Sequence, residues 1–219
     1  MDAQEPSELE ERPQGRREWS GWLRSLVLPL GLVAVIVGLL LYQSSRSGGD
    51  DSSPYGSVEL PAAKNSTGSA PAAETGRAAP DFLLEGLDSG PTLRLSDLQG
   101  KALLVNFWAT WCGPCRTEMP DLVEAYQRYA KDGLVVIGVN QREADSRVRG
   151  FVDEFDVPFP IVMDRRGEVA RTWRIGGPLQ GLPASYFVDA KGVVRKVVLG
   201  GLRARDLEDG LALILGTKG

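Results

Sequence analysis

Cys112 and Cys115 are the only cysteines of the 219-residue chain, and they stand two residues apart in Trp111-Cys112-Gly113-Pro114-Cys115. Thiols at that spacing can close a small disulfide ring and open it again, so the pair is a candidate thiol-disulfide switch. An apolar run precedes the pair and a helical pattern follows it, which puts Cys112 at the open N-terminal end of a helix. Unpaired backbone N–H groups and the positive end of the helix dipole favour a thiolate there, the form that attacks another disulfide. Cys112 is the expected nucleophile, and Cys115, one turn on, the resolving thiol.

Other uses of a Cys-x-x-Cys pair fit the chain less well. A structural zinc site needs four Cys or His ligands, and the chain has no His and no third Cys, so zinc is excluded unless carboxylates substitute. Covalent haem attachment needs a His directly after the second Cys, where Arg116 stands. A purely structural disulfide is the bland alternative, but so small a ring constrains little chain entropy. No metal and no cofactor are expected.

The elements that must hold the pair follow from the pattern around it. Ala102 to Ala109 is apolar apart from Asn106 and reads as a strand covered on both faces. A helix should run from about Pro114 to Lys131, with Leu122, Val123, Tyr126 and Tyr129 on one face and Gly133 just past its end. Leu134 to Asn140 is the next strand, and Val148, Phe151, Val152 and Phe155 mark an amphipathic helix. Then come a strand over Phe159 to Met163, a helix over Glu168 to Trp173, and strands over Ala184 to Val188 and Val193 to Leu199 joined at Asp189-Ala190-Lys191-Gly192. A last helix over Ala204 to Leu215 buries Leu207, Leu211 and Leu215. Strands alternating with helices, closed by a hairpin, imply an α/β domain: a mixed sheet with helices on both faces.

Ahead of this domain the chain changes character. Residues 1–22 are a charged tail, and Leu26 to Tyr42 carries no charge. Those residues as helix span about 25 Å, close to the hydrocarbon thickness, and the segment 23–42 reads as a transmembrane signal anchor. Arg12, Arg16, Arg17 and Arg24 precede the apolar run and only Arg46 follows it closely, which places the tail in the cytoplasm and the domain outside. A cleaved signal peptide is the rival, but the charged stretch is long and acidic and no Ala-x-Ala site follows the run. Residues 43–78, rich in Ser, Gly, Ala and Pro, are expected to be a flexible tether, and 79–219 the globular domain. A net charge of −4 without a basic tract in the domain argues against a nucleic-acid partner.

Asn106-Phe107-Trp108-Ala109-Thr110-Trp111-Cys112-Gly113-Pro114-Cys115-Arg116-Thr117-Glu118-Met119-Pro120 resembles the active-site segment of membrane-anchored thioredoxin-like proteins of the TlpA and ResA type. Ala79-Pro80-Asp81-Phe82 with Leu95-Ser96-Asp97-Leu98-Gln99-Gly100-Lys101 upstream, and Gly181-Leu182-Pro183-Ala184-Ser185-Tyr186-Phe187-Val188-Asp189 downstream, resemble the same family in the same order. The resemblance implies a thioredoxin fold and implies that Leu182-Pro183 is a cis-proline loop lying against the Cys pair, where its backbone, with Trp111, Gly113 and Pro114, meets a substrate strand. Glu118 matches a position where the family often has a glutamate implicated in proton handling; a solvated residue near a helix N-terminus is the other reading. Asn106 stands where cytoplasmic thioredoxins carry a buried Asp, which leaves Glu118 or water as proton acceptor. Pro120 should kink the helix. The stretch Arg174-Ile175-Gly176-Gly177-Pro178-Leu179-Gln180 departs from the family by being longer and richer in Gly.

The expectation is a membrane-tethered extracytoplasmic reductase of protein disulfides, because Gly113-Pro114 is the dipeptide of thioredoxin, a reducing protein. The resemblance points to apocytochrome c thiols as substrate and to a membrane thiol protein as electron donor. The alternatives are an oxidase or isomerase of secreted proteins, a thiol peroxidase, and a non-catalytic thioredoxin-fold binding module. A peroxidase would want Thr three residues before its Cys, where Ala109 stands.

Overall fold

Seven residues in succession, Ala102–Trp108, are all buried, which only a central strand covered on both faces can achieve. The structure, a computed structural model, describes residues 32–39, 53–175 and 181–216. The strands are β1 Gly56–Ser57, β2 Phe82–Gly86, β3 Gly90–Arg94, β4 Ala102–Trp108, β5 Leu134–Gln141, β6 Ile161–Asp164, β7 Ala184–Val188 and β8 Val194–Leu199. Within Ser53–Gly219 the α-helices are α1 Gly113–Tyr129, α2 Asp145–Glu154, α3 Glu168–Thr172 and α4 Ala204–Leu215. The sheet order is β1-β2-β6-β5-β4-β7-β8, with β3 paired to β2. β4 runs parallel to β5 and antiparallel to β7, and β5 runs parallel to β6, so the sheet is mixed.

One face of the sheet packs Leu104, Trp108 and Met163 against Met119 and Leu122 of α1, Val148 and Phe151 of α2, and Leu207, Leu211 and Ile214 of α4. The other face packs Phe82, Phe107, Val139 and Tyr186 against Val169 and Ala170 of α3 and against Trp173. Trp173 and Phe107 have ring centroids 5.4 Å apart, and the Tyr186 hydroxyl donates to the Trp173 carbonyl at 2.7 Å. α1 runs unbroken through Pro120, which has no N–H for the Arg116 carbonyl. The β7–β8 hairpin closes on Asp189, whose Oδ1 accepts from the N–H groups of Lys191 and Val193 at 2.9 Å each. Gly192 there has φ 78, a conformation that glycine adopts at little cost.

Of the expected tether over 43–78, residues 53–78 are not a free linker. Residues 53–78 belong to the same compact unit as the rest of the domain, Ser53–Gly219. β1 pairs with β2, the Ser57 and Thr172 hydroxyls lie 2.6 Å apart, Lys64 Nζ donates to the Ser96 carbonyl at 2.6 Å, and Ala78 bridges Val193. Non-local hydrogen bonds and the burial of the small side chains Ala73 and Ala78 hold this segment, and composition does not report either.

Of the N-terminal unit, residues 32–39 are helical, with Leu32, Val33, Val35, Ile36, Val37 and Leu39 exposed. The remainder of the expected anchor over 23–42, the tail 1–22 and the stretch 43–52 lie outside the described residues. Among the described residues no helix is long and apolar enough to cross a membrane.

Candidate active site

The chain leaves β4 at Trp108, turns through Ala109-Thr110-Trp111, and enters α1 at Cys112, which is the residue that caps the helix. The Cys112 N–H donates to the Ala109 carbonyl at 3.1 Å and the Arg116 N–H to the Cys112 carbonyl at 3.2 Å, so the backbone on both sides of the nucleophile is fixed. Cys112 and Cys115 form a disulfide with Cα atoms 5.2 Å apart. The Cys115 N–H points at the Cys112 sulfur at 3.2 Å. Cys112 keeps 4% of its surface exposed and Cys115 none, which matches an attacking and a resolving thiol. Trp111 projects outward, 68% exposed, and Gly113 and Pro114 are exposed beside it.

Glu118 lies on the same face of α1 as Cys115, three residues on, and is only 2% exposed. A solvated helix-end residue is therefore excluded. Its Oε1 accepts from Asn106 Nδ2 at 2.8 Å and its Oε2 from the Leu202 N–H at 2.6 Å. Burial pushes the carboxyl above its ordinary range, and the two donors pull part of the way back. Asn106 Nδ2 also donates to Ser185 Oγ at 3.0 Å, across the β4–β7 register pair, while Asn106 Oδ1 is buried without a partner.

Pro183 is buried, its peptide bond with Leu182 is cis, and Leu182 packs against the core cluster containing both cysteines. The Pro183 carbonyl accepts from the Gly200 N–H at 2.8 Å. The neighbouring Gly201 comes close to Pro114, where a Cβ on Gly201 would lie 3.6 Å from Pro114 Cβ. The loop Gly200-Gly201-Leu202 thus joins Pro183, Pro114 and Glu118 into one end of the sheet. Residues 176–180 of the long lead-in lie outside the described residues.

The structure places Trp111, Cys112, Gly113, Pro114, Cys115 and Glu118 at the start of α1, and Leu182 and Pro183 in the loop before β7 that bonds Gly200. It adds the Leu202 N–H, Ser185 and a carboxylate, Glu143, which takes two hydrogen bonds from Thr110. Ser185 had one local sign, a hydroxyl inside an otherwise non-polar strand pattern; the other two had none. Among the described residues no group of His, Cys, Asp or Glu could hold a metal ion.

Comparison with known proteins agrees with this geometry. The sequence pattern of the AhpC/TSA family matches residues 75–197. The thiol-disulfide oxidoreductase ResA of Geobacillus thermodenitrificans is 38% identical over 143 residues, 65% of this chain and 79% of that protein. The thioredoxin-like protein YneN of Bacillus subtilis is 38% identical over 143 residues, 64% of this chain and 80% of that protein. A crystal structure of a thiol:disulfide interchange protein of the thioredoxin family from Chlorobium tepidum superposes with a TM-score of 0.57 at 31% identity, covering 68% of this chain and 99% of that one. With a closable Cys112–Cys115 pair capping a helix and relatives of the ResA kind, the chain belongs to the AhpC/TSA family and is a thiol-disulfide oxidoreductase with a thioredoxin-like fold.

Proposed function

We propose that the protein is an extracytoplasmic, membrane-tethered reductase of protein disulfides, with apocytochrome c thiols as its substrate class. The Cys112 thiolate attacks one sulfur of a substrate disulfide, forms a mixed disulfide and releases one substrate thiolate. Cys115 gives up its proton and attacks the Cys112 sulfur, which releases the second substrate sulfur as a thiolate and leaves the Cys112–Cys115 disulfide. Two electrons pass to the substrate, and a membrane thiol protein returns them. Glu118, buried on the face of α1 that carries Cys115, is the proton acceptor for the resolving step.

The observation that carries the thiolate chemistry is the Cys115 N–H held on the Cys112 sulfur at the helix cap. The reducing direction is supported by Gly113-Pro114, and the location by the arginines that precede the apolar run at 26–42. Equilibration with glutathione or dithiothreitol should give a potential below about −200 mV, and a value near −120 mV, that of DsbA, would overturn the reducing direction. A periplasm-active reporter fused after Ala79 should be active, and an inactive one would overturn the location. The AhpC/TSA match also raises a peroxidase reading, but the residue three before Cys112 is Ala109, which is fully buried and offers no hydroxyl.

A further inference from the structure

Trp108, the last residue of β4, is in register with Asn140 of β5, so Asn140 stands where the active-site turn begins. Asn140 is fully buried; its Nδ2 donates to Glu143 Oε2 at 2.9 Å and its Oδ1 has no partner. Glu143 Oε2 also accepts from the Thr110 N–H at 2.7 Å, and Glu143 Oε1 accepts from the Thr110 hydroxyl at 2.6 Å. Between Asn140 and Glu143, Arg142 takes φ 55, and its N–H is held by the Asp164 carbonyl at 3.3 Å. A half-satisfied buried amide and a left-handed non-glycine residue are both costly. Here they serve one end, which is to aim the Glu143 carboxylate at Thr110. None of its three donors is charged, so the carboxylate is not placed as half of an ion pair.

We infer that Glu143 is a positioning residue for the redox pair, clamping Thr110 by backbone and hydroxyl so that the Trp111-Cys112 turn holds its place when the disulfide is open. In the oxidised protein the ring itself ties Cys112 to Cys115. Once reduced, the turn between β4 and α1 depends on the Cys112 N–H bond to the Ala109 carbonyl and on this clamp. The clamp acts in either direction of electron flow and on any substrate, so its test is separate from the proposed reductase role.

The test reads Cys112 alone, in the full-length protein with Cys115→Ser, as the rate of iodoacetamide alkylation against pH. Glu143→Ala should slow alkylation at neutral pH about tenfold and move the midpoint of the profile upward, because a displaced turn loses the helix-cap N–H groups. Glu143→Gln should stay within about twofold of the parent, since its amide oxygen can take the Thr110 and Asn140 N–H groups while its NH₂ donates to a reversed Thr110 hydroxyl. Thr110→Val should slow the reaction a few-fold on its own and add nothing in the Glu143→Ala background. Parent-like alkylation in Glu143→Ala would overturn the inference. So would a downward shift of the midpoint shared by both Glu143 variants, which would mean that the charge acts and not the clamp. If Glu143→Ala does not fold, parent-like behaviour of Thr110→Val is the overturning result.

Discussion

Glu118→Ala and Glu118→Gln separate the cost of burying this carboxylate from the value of its hydrogen bonds. The alanine variant leaves the Leu202 N–H and one Asn106 N–H buried without a partner, at about 1–3 kcal/mol each. Against this stands a gain that depends on pH. Burial holds the Glu118 carboxyl above its ordinary value of 4.5, so folding takes up a proton in the window above that value. The stability supplied by a carboxyl raised in this way is fully present below 4.5 and is lost as pH rises through the folded value, at about 1.4 kcal/mol for each unit of elevation. Removing the group removes that loss, so Glu118→Ala should be most destabilising in acid and progressively less so toward neutral pH. The glutamine variant keeps more of the bonds. Its amide oxygen can take the Leu202 N–H, and its NH₂ can donate to Asn106 Oδ1 if the Asn106 amide turns over and Ser185 donates in place of accepting, which moves Asn106 Nδ2 into the unpartnered position at about 1–3 kcal/mol. Glu118→Gln should lose about that much in acid, less than the alanine variant, and recover toward the parent as pH rises. Denaturant unfolding of the oxidised protein between pH 4 and 8 measures both, and a destabilisation by Glu118→Ala that is flat or grows with pH refutes the reasoning.

Three further outcomes follow from the packing and the thiol order. Gly210→Ala in α4 should gain about 1 kcal/mol of helix propensity but place its Cβ 2.4 Å from the ring of the fully buried Phe187, for a net loss of about 1–2 kcal/mol in denaturant unfolding; a more stable variant would show that the ring can yield. Tyr186→Phe should lose about 1–2 kcal/mol, because it strands the buried Trp173 carbonyl, and ultraviolet titration of the parent should find the Tyr186 hydroxyl pushed up to about 12 by burial; an unchanged stability would mean that water replaces the hydroxyl. Cys115→Ser should trap mixed disulfides with protein substrates whereas Cys112→Ser should trap none, and equal trapping seen on non-reducing gels would reverse the assigned thiol order.

How legible the fold was depended on how much of each element's apolar pattern is local. β7 and α4 match the sequence reading end to end, and β4, α1 and β5 differ from it by a residue or two, because continuous burial or a helical stripe marks them. β2 and β3 escaped the reading. β3, Gly-Pro-Thr-Leu-Arg, buries none of its residues fully and is a strand only through its pairing with β2. The same cause hid the order of residues 53–78. Ser57, Lys64 and Ala78 carry no strand or helix pattern, yet each is fixed by a partner far along the chain, at Thr172, Ser96 and Val193.

The site divides along the same line. Cys112, Cys115 and Glu118 were legible because a helix fixes their mutual placement through short spacings, and Leu182-Pro183 because the motif around it resembles a family. What sets the behaviour of these groups was not legible: the Leu202 N–H that holds Glu118 is 84 residues away and belongs to the backbone, so no side-chain pattern could announce it. The Asn106–Ser185 bond spans 79 residues and exists because β4 and β7 pair in one register. Shifting that register by one residue would turn Ser185 to the opposite face and leave Asn106 Nδ2 with Glu118 as its one side-chain partner. The proton affinity of the buried carboxyl is set by burial and by donors from two distant segments, Asn106 and Leu202, and a sequence motif can locate Glu118 but cannot state its acidity.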